Sequence, residues 1–161
     1  MGMQTPGRAF PPFASEAEIH AIVEGFGSRT LPVADWTHQA HLAVGLWHVA
    51  QFGETTAKAR LRDGIRSYNE AVGTPNNDMR GYHETVTLYY AWAAARYLEM
   101  TPPLPLVERT NGFVEGPFGS KDGIFTFWSR DLLLSVAARR AWVAPDMAPL
   151  DATLLTAAAP A

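Results

Sequence analysis

Two histidines lie three positions apart in the stretch WTHQAH at 36–41. On an α-helix, residues at this spacing are separated by only about 60° around the axis, so the imidazoles of His38 and His41 can face one point. An imidazole near a helix N-terminus stays neutral because the positive end of the helix dipole disfavours the imidazolium ion. Since neutral imidazole is the form that binds a divalent metal ion, the spacing favours a metal or ligand site.

A second pair of chemically capable residues, His83 and Glu84, lies in the stretch GYHET at 81–85. A helix that carries this pair past His38 and His41 would supply a third imidazole and a carboxylate. The metal ion would lower the pKa of a bound water, and the carboxylate would accept its proton. We therefore name His38, His41 and His83 as candidate ligands of zinc, iron or manganese. Glu84 is the candidate catalytic residue, either as a fourth ligand or as a general base.

The same residues admit other interpretations. The histidines can be interior residues whose ring nitrogens hydrogen-bond main-chain carbonyl groups, or they can bind a ligand or transfer protons without a metal. Glu84 can form a buried ion pair with Arg62, Arg66 or Arg80 instead of reacting. The sequence leaves all of these uses open.

Four further residues are candidates for binding a substrate: His48, Arg66, Asn69 and Tyr82. His48 follows His41 by seven positions, and Gly45 between them opens room because it lacks a side chain. Arg66 and Asn69 belong to a polar helix face that can hold an anionic group through forked hydrogen bonds. Tyr82 belongs to the same stretch as His83 and Glu84.

Capping signals mark the first two helices. Ser15 and Glu18 form a capping box at the start of the first helix. Asp35 or Thr37 is a suitable N-cap for a second helix, which runs to Gly53. Apolar residues surround the axis of this second helix, so neighbouring helices must bury it.

Two long helices and a more irregular region follow. A third helix is expected over about 55–72, and Asp78 is expected to cap a fourth that runs to about 100 and is again apolar around its axis. Three prolines end the fourth helix. We then expect a short helix over 106–111, a glycine-rich loop over 112–123 and a fifth substantial helix marked by Phe125, Trp128 and Leu132.

These elements predict an all-α fold, because no stretch alternates in the manner of a β-strand. We expect an irregular bundle of five or six helices with two central buried helices, the second and the fourth. The bundle is predicted to form one domain over residues 15–150. Residues 1–14 are expected to be a disordered or extended segment, and residues 151–161 a flexible tail.

Composition narrows the classes of function. The 161-residue chain has no cysteine, which excludes disulfides, thiolate nucleophiles and Cys-ligated metal sites. Its formal net charge of -3 offers no positive field for nucleic acid or anionic lipid. No apolar run approaches the roughly 18 residues of a membrane span, and the N-terminal stretch does not read as a secretory signal. We therefore expect a cytoplasmic protein with no nucleic-acid and no membrane partner, and low charge with abundant aromatic residues favours a homodimer.

Three stretches resemble a family of small, uncharacterised bacterial proteins: WTHQAHL at 36–42, GYHETVT at 81–87 and the segment 129–150, which contains ARRAWVAPD. The resemblance covers most of the chain from 35 to 150. It implies a bacterial source and an all-helical domain, and it carries over no activity.

Together these features predict a small-molecule enzyme with a His-rich, metal-binding pocket between the second and fourth helices. The alternative is a non-catalytic ligand-binding or oligomerising helical module in which the histidines are structural.

Overall fold

The computed structural model describes residues 12–157, and every regular element in that range is helical. Short 3-10 segments lie at Val33–Asp35, Pro117–Gly119 and Gly123–Thr126. Within the same range, no helix is both long and apolar enough to cross a bilayer. The all-α prediction is confirmed. The α-helices are α1 (Glu16–Ser28), α2 (His38–Phe52), α3 (Glu54–Ala71), α4 (Glu84–Met100), α5 (Leu106–Glu115), α6 (Arg130–Leu133), α7 (Val136–Arg140) and α8 (Ala152–Ala157).

The bundle is built around α2 and α4, as their apolar sequences predicted. α2 contacts α1, α3, α4 and α5, whereas α4 contacts α2, α3 and α7. Buried alanines at 91, 93, 94 and 95 let the backbone of α4 approach its neighbours closely. The aromatic side chains of Tyr89 on α4 and of Phe127 and Trp128 before α6 are fully buried in the same core cluster.

Side-chain caps set the start of α1 and α2 where the sequence indicated. The Oγ atom of Ser15 accepts a hydrogen bond from the backbone N–H of Glu18 at 3.2 Å. The hydroxyl of Thr37 accepts one from the N–H of Ala40 at 3.2 Å. Because Thr37 is the cap, His38 is the first residue of α2, and its imidazole lies at the exposed end of a central helix.

α4 begins at Glu84, later than the sequence predicted. Gly81 has a positive φ of 86°, which a right-handed helix cannot contain, and a Cβ at this position would overlap the carbonyl oxygen of Pro75. His83 is the N-cap instead, since its Nδ1 accepts a hydrogen bond from the N–H of Val86 at 3.2 Å. The expectation that Asp78 caps this helix is therefore wrong.

The fifth substantial helix is α5, which extends through the first residues of the expected glycine-rich loop. The long helix predicted around Phe125 and Trp128 is wrong. In its place, Ser129 and Ser135 each cap a separate short helix by accepting a backbone N–H at 3.2 Å. The indole N–H of Trp128 donates to the carbonyl of Val143 at 3.0 Å, so the chain folds back over this ring.

The structure describes part of the expected disordered or extended N-terminal segment and part of the expected C-terminal tail, and both parts pack on the domain. The backbone of Phe13 is held by the side-chain amide of Asn111 through hydrogen bonds of 3.1 and 2.9 Å. Residues 152–157 form α8, and Leu155 is buried. The remaining parts of those two predictions, residues 1–11 and 158–161, lie outside the described residues.

Gly81→Ala should destabilise the protein more than Gly73→Ala. Both glycines have a positive φ, which costs an alanine about 1–2 kcal/mol. Only at Gly81 would the added methyl group also collide with the turn, because a Cβ at Gly73 meets no atom within 4 Å. Urea unfolding followed by circular dichroism measures both. Equal losses of unfolding free energy in the two variants would show that the turn before α4 can shift to make room for the methyl group. The turn would then not determine where the helix starts.

Candidate functional site

A cavity of about 320 Å³ lies between α2, α3 and α4. We call it the His38–His41 cavity, because these imidazoles are its two ring-nitrogen groups. Apolar side chains supply most of the remaining wall. The lining residues are His38, His41, Leu42, Gly45, Leu61, Ile65, Val86, Thr87, Tyr90 and Ala91.

Gly45 provides part of the space in this cavity. A Cβ built at Gly45 would have no neighbouring atom within 4 Å, so the position faces open space in the middle of α2. Glycine in a helix interior costs about 1 kcal/mol relative to alanine. From the sequence, Gly45 was expected to open room between His41 and His48; in the structure the open space lies beside His41, whereas His48 lines a separate groove.

His41 is held neutral, and one of its ring nitrogens has no hydrogen-bond partner within the described range 12–157. Its Nδ1 donates to the carbonyl oxygen of Thr37 at 2.8 Å, which places the proton on Nδ1 and leaves Nε2 as an acceptor. The ring packs on the indole of Trp36, with 3.7 Å between the centroids, while the residue keeps contact with solvent. Burial of the ring and the neighbouring His38 lower the pKa of His41 to about 4.

His38 has the opposite tautomer. Its Nε2 donates to the carbonyl of Gly119 at 2.9 Å, so Nδ1 is the acceptor. Burial, together with the positive charge of Lys121, lowers the pKa of His38. Both imidazoles that line the cavity are therefore neutral at neutral pH, and each offers an acceptor nitrogen.

The segment Gly119–Ser120 is tied to the cavity by two lining residues. His38 holds the carbonyl of Gly119, and the hydroxyl of Tyr90 donates to the carbonyl of Ser120 at 3.0 Å. The two rings also meet edge to face, with centroids 5.6 Å apart. This segment thus links the start of α2 to the middle of α4 beside the cavity.

His83 does not join the other two candidate metal ligands. Its Nε2 donates to the carbonyl of Leu133 at 2.8 Å, and its Nδ1 caps α4, so the protein uses both nitrogens. Nowhere in residues 12–157 do three or more His, Cys, Asp or Glu side chains come together in an arrangement that could hold a metal ion. The expected grouping of His38, His41 and His83 is therefore corrected to a pair of imidazoles, with His83 in a separate structural role.

Glu84 forms the ion pair that was the alternative to catalysis. The guanidinium of Arg62 donates three hydrogen bonds to its carboxylate, at 3.1, 2.8 and 2.6 Å. The side chain of Glu84 is only 8% exposed, whereas that of Arg62 is 39% exposed. The pairing raises the pKa of Arg62. Glu84 does not line the His38–His41 cavity, so the structure provides no contact between this carboxylate and a ligand bound there.

Tyr82 does not line the cavity. Its hydroxyl is buried close to Glu84 and Thr87 and has no hydrogen-bond partner among residues 12–157. Burial, and secondarily the charge of Glu84, raise the pKa of Tyr82 to about 12. The guanidinium of Arg66 lies over the Tyr82 ring, 5.0 Å from its centroid. Of these side chains, only Thr87 lines the cavity.

The other candidate substrate-binding residues also lie away from the cavity. The amide of Asn69 donates to Oδ1 of Asn76 at 2.9 Å, and Asn76 donates to the carbonyl of Arg66 at 3.1 Å, so this group holds the turn after α3. His48 donates from Nδ1 to the carbonyl of Val44 at 2.7 Å. It lines a separate surface groove, together with Trp47.

Several residues of the cavity wall were not predicted from the sequence. Tyr90 of α4 and Leu61 and Ile65 of α3 line the cavity, and no sequence signal connects them with the two histidines. The helical spacing of Val86, Thr87 and Tyr90, at i, i+1 and i+4, is the one signal that places these three on a common side. Which neighbour that side meets depends on how the helices pack.

Comparisons with known proteins return no matching family model, no matching curated protein and no matching solved structure.

The free energy of unfolding should fall as the pH is lowered from 7.5 to 5. In the folded protein, the pKa values of His38, His41, His48 and His83 all lie below the ordinary value of 6.5. Across this window the unfolded chain therefore binds more protons than the folded chain, so acid favours unfolding. Urea titrations at several pH values measure the slope.

His41→Gln should reduce that slope, because it removes one of the four groups. The window lies above the range in which aspartates with a lowered pKa, such as Asp78 and Asp146, titrate. A stability that does not change between pH 7.5 and 5 would contradict the neutral state of these four imidazoles.

Arg62→Met should lower the free energy of unfolding by about 1–3 kcal/mol, because it leaves the buried carboxylate of Glu84 without its partner. The double variant Arg62→Met with Glu84→Gln should be more stable than the sum of the two single losses implies. Denaturant unfolding of all four proteins gives the coupling. Additive losses would mean that the pair does not hold α3 to α4.

Proposed function

We propose that this chain binds a small, mostly apolar molecule in the His38–His41 cavity. The observation that carries the proposal is the combination of an apolar space of about 320 Å³ with two neutral imidazoles on its wall. Small-molecule sites typically span about 300–1,000 Å³ and have apolar walls with a few polar groups that orient the ligand. The cavity matches the lower end of that range.

The helix sequence supports this interpretation. Leu42, Leu61 and Ile65 contribute apolar wall, while Gly45 leaves space in a helix that is otherwise well packed. A central helix without a ligand to accommodate would be more stable with alanine at this position. Solvent reaches His41, which gives a ligand a route to the cavity.

Binding without catalysis is the better-supported of the two functions predicted from sequence. A general base works best when its pKa lies near the working pH, and the pKa of His41 is about 4. Glu84, the candidate catalytic carboxylate, is already bound by Arg62. An enzymatic or metal-dependent role, a homodimer and a cytoplasmic location all stay predictions, and the binding proposal does not depend on them.

Gly45→Leu should abolish ligand binding without unfolding the protein. The leucine side chain would occupy the cavity beside His41, and leucine is a better helix former than glycine. The probe is a set of small neutral aromatic and aliphatic compounds, screened by ligand-observed NMR. We expect several to bind the native protein and to lose at least tenfold in affinity in the variant.

Two variants control this experiment. Gly45→Ala keeps most of the space and should raise the free energy of unfolding by about 0.5–1 kcal/mol. Gly27→Leu introduces the same side chain into open space on α1, away from the cavity, and should leave binding unchanged. Failure of every compound to bind the native protein, or equal binding by Gly45→Leu, would overturn the proposal.

A further inference from the structure

The polar groups on the wall of the His38–His41 cavity have little capacity to donate hydrogen bonds. The N–H of His41 donates to the carbonyl of Thr37, and the N–H of His38 donates to the carbonyl of Gly119. Each ring has one nitrogen left without a partner among residues 12–157, and that nitrogen carries a lone pair. Both imidazoles can therefore accept a hydrogen bond and cannot donate one.

Tyr90 also offers a ligand an acceptor and no donor. Its only O–H donates to the carbonyl of Ser120 at 3.0 Å, so toward a ligand its oxygen can only accept. Thr87 can donate as well as accept, and it imposes no preference. Three of the four polar side chains that line the cavity can thus only accept a hydrogen bond from a ligand, because their own N–H or O–H groups already donate to main-chain carbonyl groups.

Charged ligands do not fit this set of groups. None of the described residues that line the cavity is a carboxylate that could balance a cation, and Lys121 lies close enough to His38 to lower its pKa. An anion would face acceptor atoms and apolar walls, where an unpaired charge is strongly disfavoured. The complementary ligand is uncharged.

We propose that the cavity selects uncharged apolar molecules that carry an O–H or N–H group, and that the unused nitrogens of His38 and His41 accept the hydrogen bond. This proposal rests on the proposed function, since it assigns the chemical class of the ligand for the same cavity. An analogue that only accepts hydrogen bonds would leave those nitrogens desolvated without a partner. The cavity would therefore distinguish two molecules of nearly the same shape.

Indole and benzofuran provide a matched pair of probes. They share one bicyclic shape, but indole donates an N–H where benzofuran has an oxygen atom. Isothermal titration calorimetry at pH 7.5 should show that the native protein binds indole on the order of 3- to 10-fold more tightly than benzofuran, the worth of one net hydrogen bond. Benzoate, an anion of similar size, should bind more weakly than either.

The double variant His38→Phe with His41→Phe should bind the two probes equally, because aromatic rings remain but both acceptor nitrogens are gone. His48→Phe is the matched control, since His48 lies on the same helix, makes the same Nδ1 bond to the carbonyl four residues earlier and lines a different groove. It should keep the preference for indole. The single variant His41→Phe, which should weaken that preference, serves if the double variant does not fold.

The outcomes separate the two proposals. If neither probe binds, or if Gly45→Leu binds both as well as the native protein does, the proposed function itself is wrong. If Gly45→Leu blocks both probes but the native protein binds them equally, the cavity binds ligands and the donor selectivity is wrong. A preference for indole that survives in the double variant, or in His41→Phe unreduced, also overturns the selectivity.

Discussion

The carboxylate of Glu84 lies almost enclosed in the first turn of α4. The guanidinium of Arg62, on α3, donates three hydrogen bonds to it. A buried carboxylate without a partner is costly, so α3 must keep the register that brings Arg62 to this point. Leu61 and Ile65, on either side of Arg62 in the sequence, then form one wall of the cavity. The shape of the cavity therefore depends on an ion pair whose residues do not line it.

Four histidines satisfy a main-chain carbonyl in the same way and yet serve different purposes. His83 uses both nitrogens within the bundle, since Nε2 donates to Leu133 and Nδ1 caps α4, whereas His48 donates to Val44 and lines a separate groove. His38 and His41 make equivalent bonds at the edge of the cavity, and each has a second nitrogen without a partner among residues 12–157. A hydrogen bond to the backbone thus does not by itself make a histidine structural, because its second nitrogen decides what the ring can do.

Local signals predicted the α2 side of the site and failed on the α4 side. The spacing of His38, His41 and Gly45 on one helix is a local property, and the cap at Thr37 was visible in the sequence. The pair His83 and Glu84 was expected inside a helix that began earlier. The turn at Gly81 delays α4, so His83 becomes its cap and Glu84 its first residue, and both then face structural partners.

The all-α fold, the two central helices and the pair of imidazoles at the start of α2 follow from local sequence, because helical periodicity and capping act within a few residues of chain. The packing of the helices brings Leu61, Ile65, Thr87 and Tyr90 around those imidazoles and pairs Arg62 with Glu84. These contacts join residues far apart in the chain. Their geometry follows from how whole helices pack against one another, which no short-range pattern encodes.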